Sequence, residues 1–347
     1  MKLWFGRYKE ESPIKKMLVL MLTLLVCAAC IHVWAEEPER EPHESGDFEY
    51  VLLDNGTIEI IGYLGDAKSL DIPDELDGIG VTIIGNNAFY NCSSLASVTI
   101  PNSVTAIEDW AFSCCYSLTS VTIPNSLTTI GSNPFESCTK LSDIRISPNH
   151  PVLTTIDGVL FSKADQRLIC YPGGFTQSEY KAPQGIVTIG NYAFFGCDSL
   201  TAITLPDGLT AINDYAFSYC SSLNSIALPD SLTTIGSSAF YLCGNLSSVI
   251  LPKSLTTIGS CAFSWCDSLT TLALPNNLIT VDDFVFYGCS SLTSVTLPDS
   301  LTAIDNWAFK GCDKAIFTVG FDSYAKQYCI DHDLPYTYPD ANDWLNN

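Results

Sequence analysis

The sequence predicts a β-rich solenoid: a right-handed, elongated arc of about a dozen coils with a parallel sheet on its concave side. Three observations carry this. Phenylalanine recurs every 23 residues, at Phe89, Phe112 and Phe135 and again at Phe194, Phe217, Phe240, Phe263, Phe286 and Phe309, with one step of 59 between the two runs. Three residues after each comes a cysteine: Cys92, Cys115, Cys138, Cys197, Cys220, Cys243, Cys266, Cys289 and Cys312. Between them lies an alternating apolar stretch that ends in proline. A chain of 347 residues, 47% of them apolar, would otherwise suggest two or three globular domains. Repetition lets a single body grow instead.

Residues 1–35 carry a basic start ending at Lys15-Lys16, an uncharged run from Met17 to Val33 and the small exit Val33-Trp34-Ala35. That is the pattern of a secretory signal cleaved after Ala35. A lipidated Cys30 and an uncleaved anchor are the alternatives, and the only routes to a membrane. Residues 36–46 are charged, proline-containing and aperiodic, so a flexible acidic linker is expected. Residues 47–88 form an N-terminal cap and first coil, with a hairpin turn at Asp54-Asn55-Gly56. Regular repeats occupy 89–144. An irregular long repeat spans 145–187 and contains a second hairpin at Asp157-Gly158, bulging from the stack. Regular repeats resume over 188–312. A C-terminal cap covers 313–338, with a short helix over 322–332 N-capped by Asp322 or Ser323. Residues 339–347 read as a frayed tail. Both open ends of a solenoid need such covers, because they expose apolar surface and unpaired strand edges.

One unit, 240–262, explains the rest. Leu246, Val249 and Leu251 alternate as a strand, with Ser248 and Ile250 on its other side. Pro252 ends the strand, having no N–H for a ladder. Leu255 and Ile258 turn back inside. Gly259, which aligns with Gly236, Asn213 and Asp305, is a residue type suited to a left-handed backbone. Ser260 stands in a Ser/Asp/Asn column that suits a helix N-cap, so Ala262-Phe263-x-x-Cys266 should form one short helical or 3₁₀ corner.

The cysteines need a reading of their own. Outside the leader only His43, His150 and His332 are available as bases, none at the repeat spacing, and a nucleophile requires one. Zinc requires ligands clustered on a short loop. Coil-to-coil disulfides are geometrically within reach, since neighbouring strands lie about 4.8 Å apart, but nine cysteines do not pair evenly. The favoured reading is a structural column of buried free thiols acting as small apolar residues.

The pattern L-x-x-[VI]-x-[IL]-P followed by L-T-x-I-G-x-x-A-F-x-x-C resembles the BspA-like leucine-rich repeats of bacterial surface proteins. Asp47–Tyr50 through Ile58 and Leu70–Pro73 resemble that family's lead-in. Asp157–Phe161 and Leu168–Pro172 resemble its irregular long repeat, and Ser323–Ala325 to Leu334–Tyr336 its closing helix and strand. The resemblance covers about 47–338 and departs at Pro134 and Val285, which stand in the alanine column. It implies a secreted or surface-attached binding or adhesive module. The ligand would be an extracellular protein or glycan, and no cofactor is implied.

Three surfaces are candidates for function. The first is the strand face, with Ser97, Thr99, Ser120, Thr122, Thr204, Ser225, Ser248, Ser294 and Thr296. It is uniform except near Asp143 and Arg145. The second is an aromatic rim at the Ala-Phe corner: Trp110, Tyr192, Tyr215, Phe284 and Trp307, with Tyr219 and Trp265. The third is an acidic edge of Asp109, Asp214, Asp282, Asp283 and Asp305, mostly one per coil. It reads as turn residues rather than calcium ligands, which must converge. The favoured binding region is the long repeat, with Asp143, Arg145, His150, Tyr171 and Tyr180 flanked by Tyr192. Trp265 and Trp307 are the next. A formal charge of −22 opposes nucleic acid and anionic lipid. No G-x-S-x-G, H-E-x-x-H, phosphate loop or dinucleotide fingerprint is present, and Leu334–Tyr338 has Tyr338 where a wall-sorting signal has glycine. A binding module is therefore expected, a passive spacer is the alternative, and an enzyme is not.

Overall fold

The computed structural model describes residues 40–339. The expected leader and most of the C-terminal tail lie outside them. Each unit contributes a three-residue strand whose central residue is buried and whose flanks face out, as in Ser97–Thr99, Ser120–Thr122 and Asp143–Arg145. These pair in parallel with a strict one-unit register, Val98 beside Val121 beside Ile144. A second parallel ladder, not foreseen from the sequence, runs through the return leg. It consists of pairs such as Ala211–Ile212, Thr234–Ile235 and Thr257–Ile258, with the isoleucine buried and the threonine or alanine at the surface. Threonines one place before several of these pairs lend it hydroxyl bonds to the preceding coil, as Thr233 Oγ1 donates to the Thr210 carbonyl at 3.1 Å.

The column phenylalanines are buried and stack ring on ring. Centroids lie 4.8 Å apart for Phe89–Phe112 and for Phe194–Phe217, 5.0 Å for Phe240–Phe263 and 5.3 Å for Phe286–Phe309, with planes within 14° of parallel. Tyr63 closes the spine at one end, 5.4 Å from Phe89, and Tyr328 at the other, 6.4 Å from Phe309. The cysteines do more than fill space. Cys115, Cys138, Cys220, Cys243, Cys266, Cys289 and Cys312 each donate S–H to the carbonyl of the phenylalanine one unit back, at 3.0–3.3 Å. Burial pushes the Cys220 thiol up to about 12, so the donor keeps its proton.

The corners differ from expectation. Gly236 and Gly259 do not adopt a left-handed backbone; they are glycine because the preceding coil is too close. A Cβ on Gly259 would lie 2.5 Å from Ser237 N, and one on Gly236 2.6 Å from the Asn213 carbonyl carbon. The left-handed residues stand two places before and two places after the phenylalanine: Asn87 and Asn91, Tyr215 and Tyr219, Cys261 and Trp265. The Ser/Asp/Asn column also serves its neighbour rather than its own turn. Asp214 Oδ1 accepts from Ser237 N at 2.7 Å, and Asp109 Oδ1 from Ser132 N at 2.5 Å.

At the N-terminus three antiparallel strands, Pro42–Ser45, Phe48–Leu52 and Ile58–Tyr63, cover the first coil. Pro42–Ser45 belongs to the segment expected as a flexible linker; pairing with 48–51 orders it. Asp77, at the turn of a further hairpin (Glu75–Leu76 with Ile79–Ile84), accepts from Ser45 Oγ at 2.7 Å and Tyr50 OH at 2.9 Å. At the other end the helix Tyr324–Asp331 begins as expected, with Ser323 Oγ accepting from Lys326 N at 3.1 Å. Tyr336–Thr337 then adds a last strand beside Ile316–Thr318.

The long repeat hides a regular unit. Tyr171 lies 23 residues before Phe194, is buried, and stacks on Phe194 at 5.0 Å. It holds the phenylalanine position, and Glu179–Lys181 pairs with Ala202–Thr204 as the next strand of the main ladder. The true insertion is the hairpin Leu153–Ile156 with Val159–Ser162, turned at Asp157-Gly158 with both φ positive. The hairpin does not bulge outward. Leu160, Ile169 and Cys170 pack into the N-terminal core, whereas Val159, Phe161, Leu168 and Tyr171 pack into the C-terminal one. With alternate side chains on opposite faces, the meander is a septum between two cores. His150 secures its entry and is 1% exposed. Its Nδ1 accepts from Leu153 N at 3.1 Å and Val152 N at 3.3 Å, and its Nε2 faces the Pro124 carbonyl at 3.0 Å. That fixes the neutral tautomer with the proton on Nε2.

Two outcomes follow. Cys243→Ala should cost about 1–2 kcal/mol in urea unfolding, from the lost bond and the small void. A loss no larger than for the less buried Cys261→Ala would show the ladder to be idle. Burial holds the His150 imidazole below its ordinary 6.5, so the unfolded chain takes up the proton first. The associated stability is present above about pH 6.5 and is lost as pH falls through the folded value. We expect the unfolding midpoint to drop between pH 7.5 and 5 and His150→Gln to flatten that slope; an equally steep slope in the variant would disprove the assignment.

Candidate functional site

The structure takes apart the region favoured from the sequence. Arg145 and Asp143 lie exposed on the strand face but bond each other, with Arg145 Nε to Asp143 Oδ2 at 2.6 Å. His150 is buried in the septum and Tyr171 in the spine. Tyr180 is partly buried against Tyr171 at 5.0 Å and Phe194 at 5.9 Å. These side chains serve the fold and do not share a surface with Asp143 and Arg145. The rest of the strand face is small and polar. It departs from this at Glu179 and Lys181 and at two isoleucines, Ile250, 83% exposed between Ala227 and Ala273, and Ile316, 51% exposed.

The aromatic rim is where chemistry concentrates. At several corners large side chains two before, one after or two after the phenylalanine reach the surface, whereas small ones there stay buried, as Ser113, Ser218, Ser238 and Ser264 do. Tyr192 lies flat on Tyr215 at 4.8 Å and 4°, and Trp110 meets Tyr192 edge-on at 5.7 Å. Phe195, Tyr219 and Tyr241 follow at 5.1 and 5.7 Å. Farther along, Trp265 packs on Tyr287 at 5.5 Å, Tyr287 on Phe284 at 5.5 Å, and Phe284 on Trp307 at 6.0 Å. Sequence reading missed Tyr90, Phe195, Tyr241 and Tyr287. Each follows a column phenylalanine directly, and the missed signal was a large ring in a position where Ser113, Ser218 and Ser264 fit inside, so that it must reach outward.

The backbone beneath these rings is costly. Trp110, Tyr192, Tyr215, Tyr219, Trp265 and Phe284 all have φ between +55° and +61°. For a bulky side chain that conformation costs roughly 1–2 kcal/mol. The same columns hold Asn87, Asn91, Gly196, Gly288 and Gly311, which adopt it with less strain. Partial burial raises the Tyr192 and Tyr219 phenols, so they stay neutral and present O–H groups. Beside the rim Asp283 shares a hydrogen bond with Asp305 that raises its carboxyl. Among the described residues no three His, Cys, Asp or Glu side chains converge as a metal site, and no helix is long and apolar enough to cross a membrane.

Comparison with known proteins agrees with this architecture. No curated protein matches the chain. Among solved structures, the pneumococcal vaccine antigen PcpA superposes with a TM-score of 0.58 at 20% identity, over 88% of this chain and 100% of that one. A leucine-rich repeat protein from Eubacterium ventriosum gives 0.53 at 23% identity, over 79% and 95%. Both likenesses concern the fold. The family model of the BspA type leucine-rich repeat region matches residues 66–185 and 187–316, in six copies. This chain, with its phenylalanine spine and cysteine ladder, therefore belongs to the BspA-type leucine-rich repeat family.

Proposed function

We propose that the chain is a non-catalytic binding module, exported to the cell surface or the medium, that holds a protein or glycan ligand through its aromatic rim. One observation carries this reading: bulky rings occupy left-handed positions that asparagine or glycine fills at lower cost elsewhere in the same chain. Strain of this kind persists where function or packing over-determines it. Amphipathic rings ending in O–H or N–H groups are the usual anchors of binding surfaces. The groups on the rim are neutral phenols and indoles, suited to contact rather than to proton transfer. The secretory-signal pattern in the sequence of residues 1–35 and the surface setting typical of the family support export. A passive spacer, the alternative suggested by the uniform strand face, gains nothing from strained rings.

The test is an array of matrix proteins and glycans probed with the chain and with the double variant Tyr215→Asn, Tyr219→Asn. Asparagine occupies both columns naturally at Asn87 and Asn91. The variant's stability should stay within about 1 kcal/mol of the parent, as relief of strain offsets lost stacking. Binding to any protein hit on the array should weaken about tenfold or more. Undiminished binding would reduce the rim to a corner cover.

A further inference from the structure

Along the rim the rings use their faces on one another. Tyr192 lies flat on Tyr215, and Phe284 is within 19° of parallel to Trp307, so edges and polar tips are what solvent meets. The series stops at Trp307. The next position in the stack is taken by the helix Tyr324–Asp331, which brings no further ring to this column. The Trp307 indole is 49% exposed. It lines a cleft of about 620 Å³ between the last corner and the end of the helix, a size typical of small-ligand sites, about 300–1,000 Å³.

The cleft has polar groups around that ring. Asn306, Lys310, Asp313, His332 and Asp333 share its lining. His332 is oriented from behind: Nδ1 lies 2.9 Å from the Tyr328 carbonyl and therefore carries a hydrogen, and Nε2 is paired with Asn306 Oδ1 at 3.2 Å. A flat apolar face bordered by an amide, carboxylates and an imidazole matches one ligand chemistry closely. The C–H face of a pyranose ring lies on the indole, while its vicinal hydroxyls, each both donor and acceptor, find complementary groups at the rim. Charge narrows the class. Asp313 and Asp333 outnumber Lys310 in the lining, and with a formal charge of −22 they disfavour sulfated, carboxylated or phosphorylated ligands, nucleotides among them.

We propose that this cleft is a binding site for a neutral saccharide, with Trp307 as its platform, Asn306 and Asp333 as hydroxyl partners, and His332 holding Asn306 in place. The proposal deepens the binding-module reading and rests on it. The experiment titrates the full chain with chitotriose, cellotriose, maltotriose and mannotriose, by calorimetry and tryptophan fluorescence, with a sialylated trisaccharide and a heparin trisaccharide as anionic controls. At least one neutral trisaccharide should bind. Trp307→Ala should weaken it tenfold or more and Trp307→Tyr should retain most of it. Asn306→Ala and Asp333→Ala should each weaken it several-fold. These surface variants are read only if their melting curves match the parent, and should Trp307→Ala fail that check, Asn306→Ala carries the decision. Absence of binding by all four neutral sugars, tighter binding of either anionic control, or binding that survives Trp307→Ala would overturn the site. A protein ligand from the array that depends on Tyr215 and Tyr219 would then still uphold the module reading. If no array ligand depends on them either, both readings fall.

Discussion

Everything in this molecule depends on two spacings coinciding. Parallel strands repeat at about 4.8 Å, and the aromatic rings of the spine repeat at 4.8–5.7 Å. One 23-residue unit satisfies both, so the ladder at the surface and the stack in the core hold the same register. The other columns follow from that lock. Coils this close leave no room for a Cβ on Gly236 or Gly259. They also bring each cysteine sulfhydryl within reach of the phenylalanine carbonyl one coil back, where a valine would fill the space but donate nothing. The corner that tucks the phenylalanine inside is so tight that in most units residues on both sides of it turn left-handed, Asn133 and Trp307 being the exceptions. The strained rim is thus a by-product of the spine, and what the chain chose was which side chains to place there.

The septum shows the limit of the lock. Both ladders break around the long unit: Asp143–Arg145 is not paired with Glu179–Lys181, nor Thr129–Ile130 with Arg167–Cys170. The buried residues fall into two clusters that meet at the meander. Cohesion across the break comes from other sources. Gly174 N bonds the Leu141 carbonyl at 2.8 Å, and a Cβ there would sit 2.6 Å from the Lys140 carbonyl. Asn133 Nδ2 reaches the Tyr192 carbonyl at 2.8 Å. In a linear array stability is roughly the sum of units and interfaces, and this interface is held by a few specific bonds rather than by the repeated ones.

The period made the architecture legible before any coordinates. The phenylalanine and cysteine columns, the proline-ended strands, the Asp157-Gly158 hairpin and the Ser323-capped helix all stand where local chemistry put them. What escaped were positions where one residue type has two physical uses. Glycine at 236 and 259 suggested a positive φ but answers a close approach. Tyr171 looked like a surface anchor because a hydroxyl marks it, yet its ring continues the spine. The 13-residue insertion between Phe135 and Tyr171 had hidden that phase. His150 looked like a recognition group, whereas two backbone N–H groups and a carbonyl had already consumed its capacity. Pro42–Ser45 has the composition of a linker and is ordered only by a partner strand. Each of these uses is set by a neighbour distant in sequence, which composition and spacing do not encode.

A periodic surface is a poor place to build a specific pocket. Any side chain placed outward on one coil meets its counterpart on the next at about 5 Å, and aromatic side chains so placed stack on each other before they meet a ligand. A pocket therefore needs an interruption of the period. The molecule has two kinds. The long repeat interrupts it internally, but there the irregular residues are consumed in joining two cores, and their rings turn inward. The C-terminal cap interrupts it at an end, where the stack must stop and the last member keeps a face that no following ring covers. Trp307 is that member, and the helix that ends the stack also supplies the opposite wall of its cleft. In a solenoid of this kind the functional asymmetry is thus produced by termination, and the cap that shields the core is the same element that shapes the site.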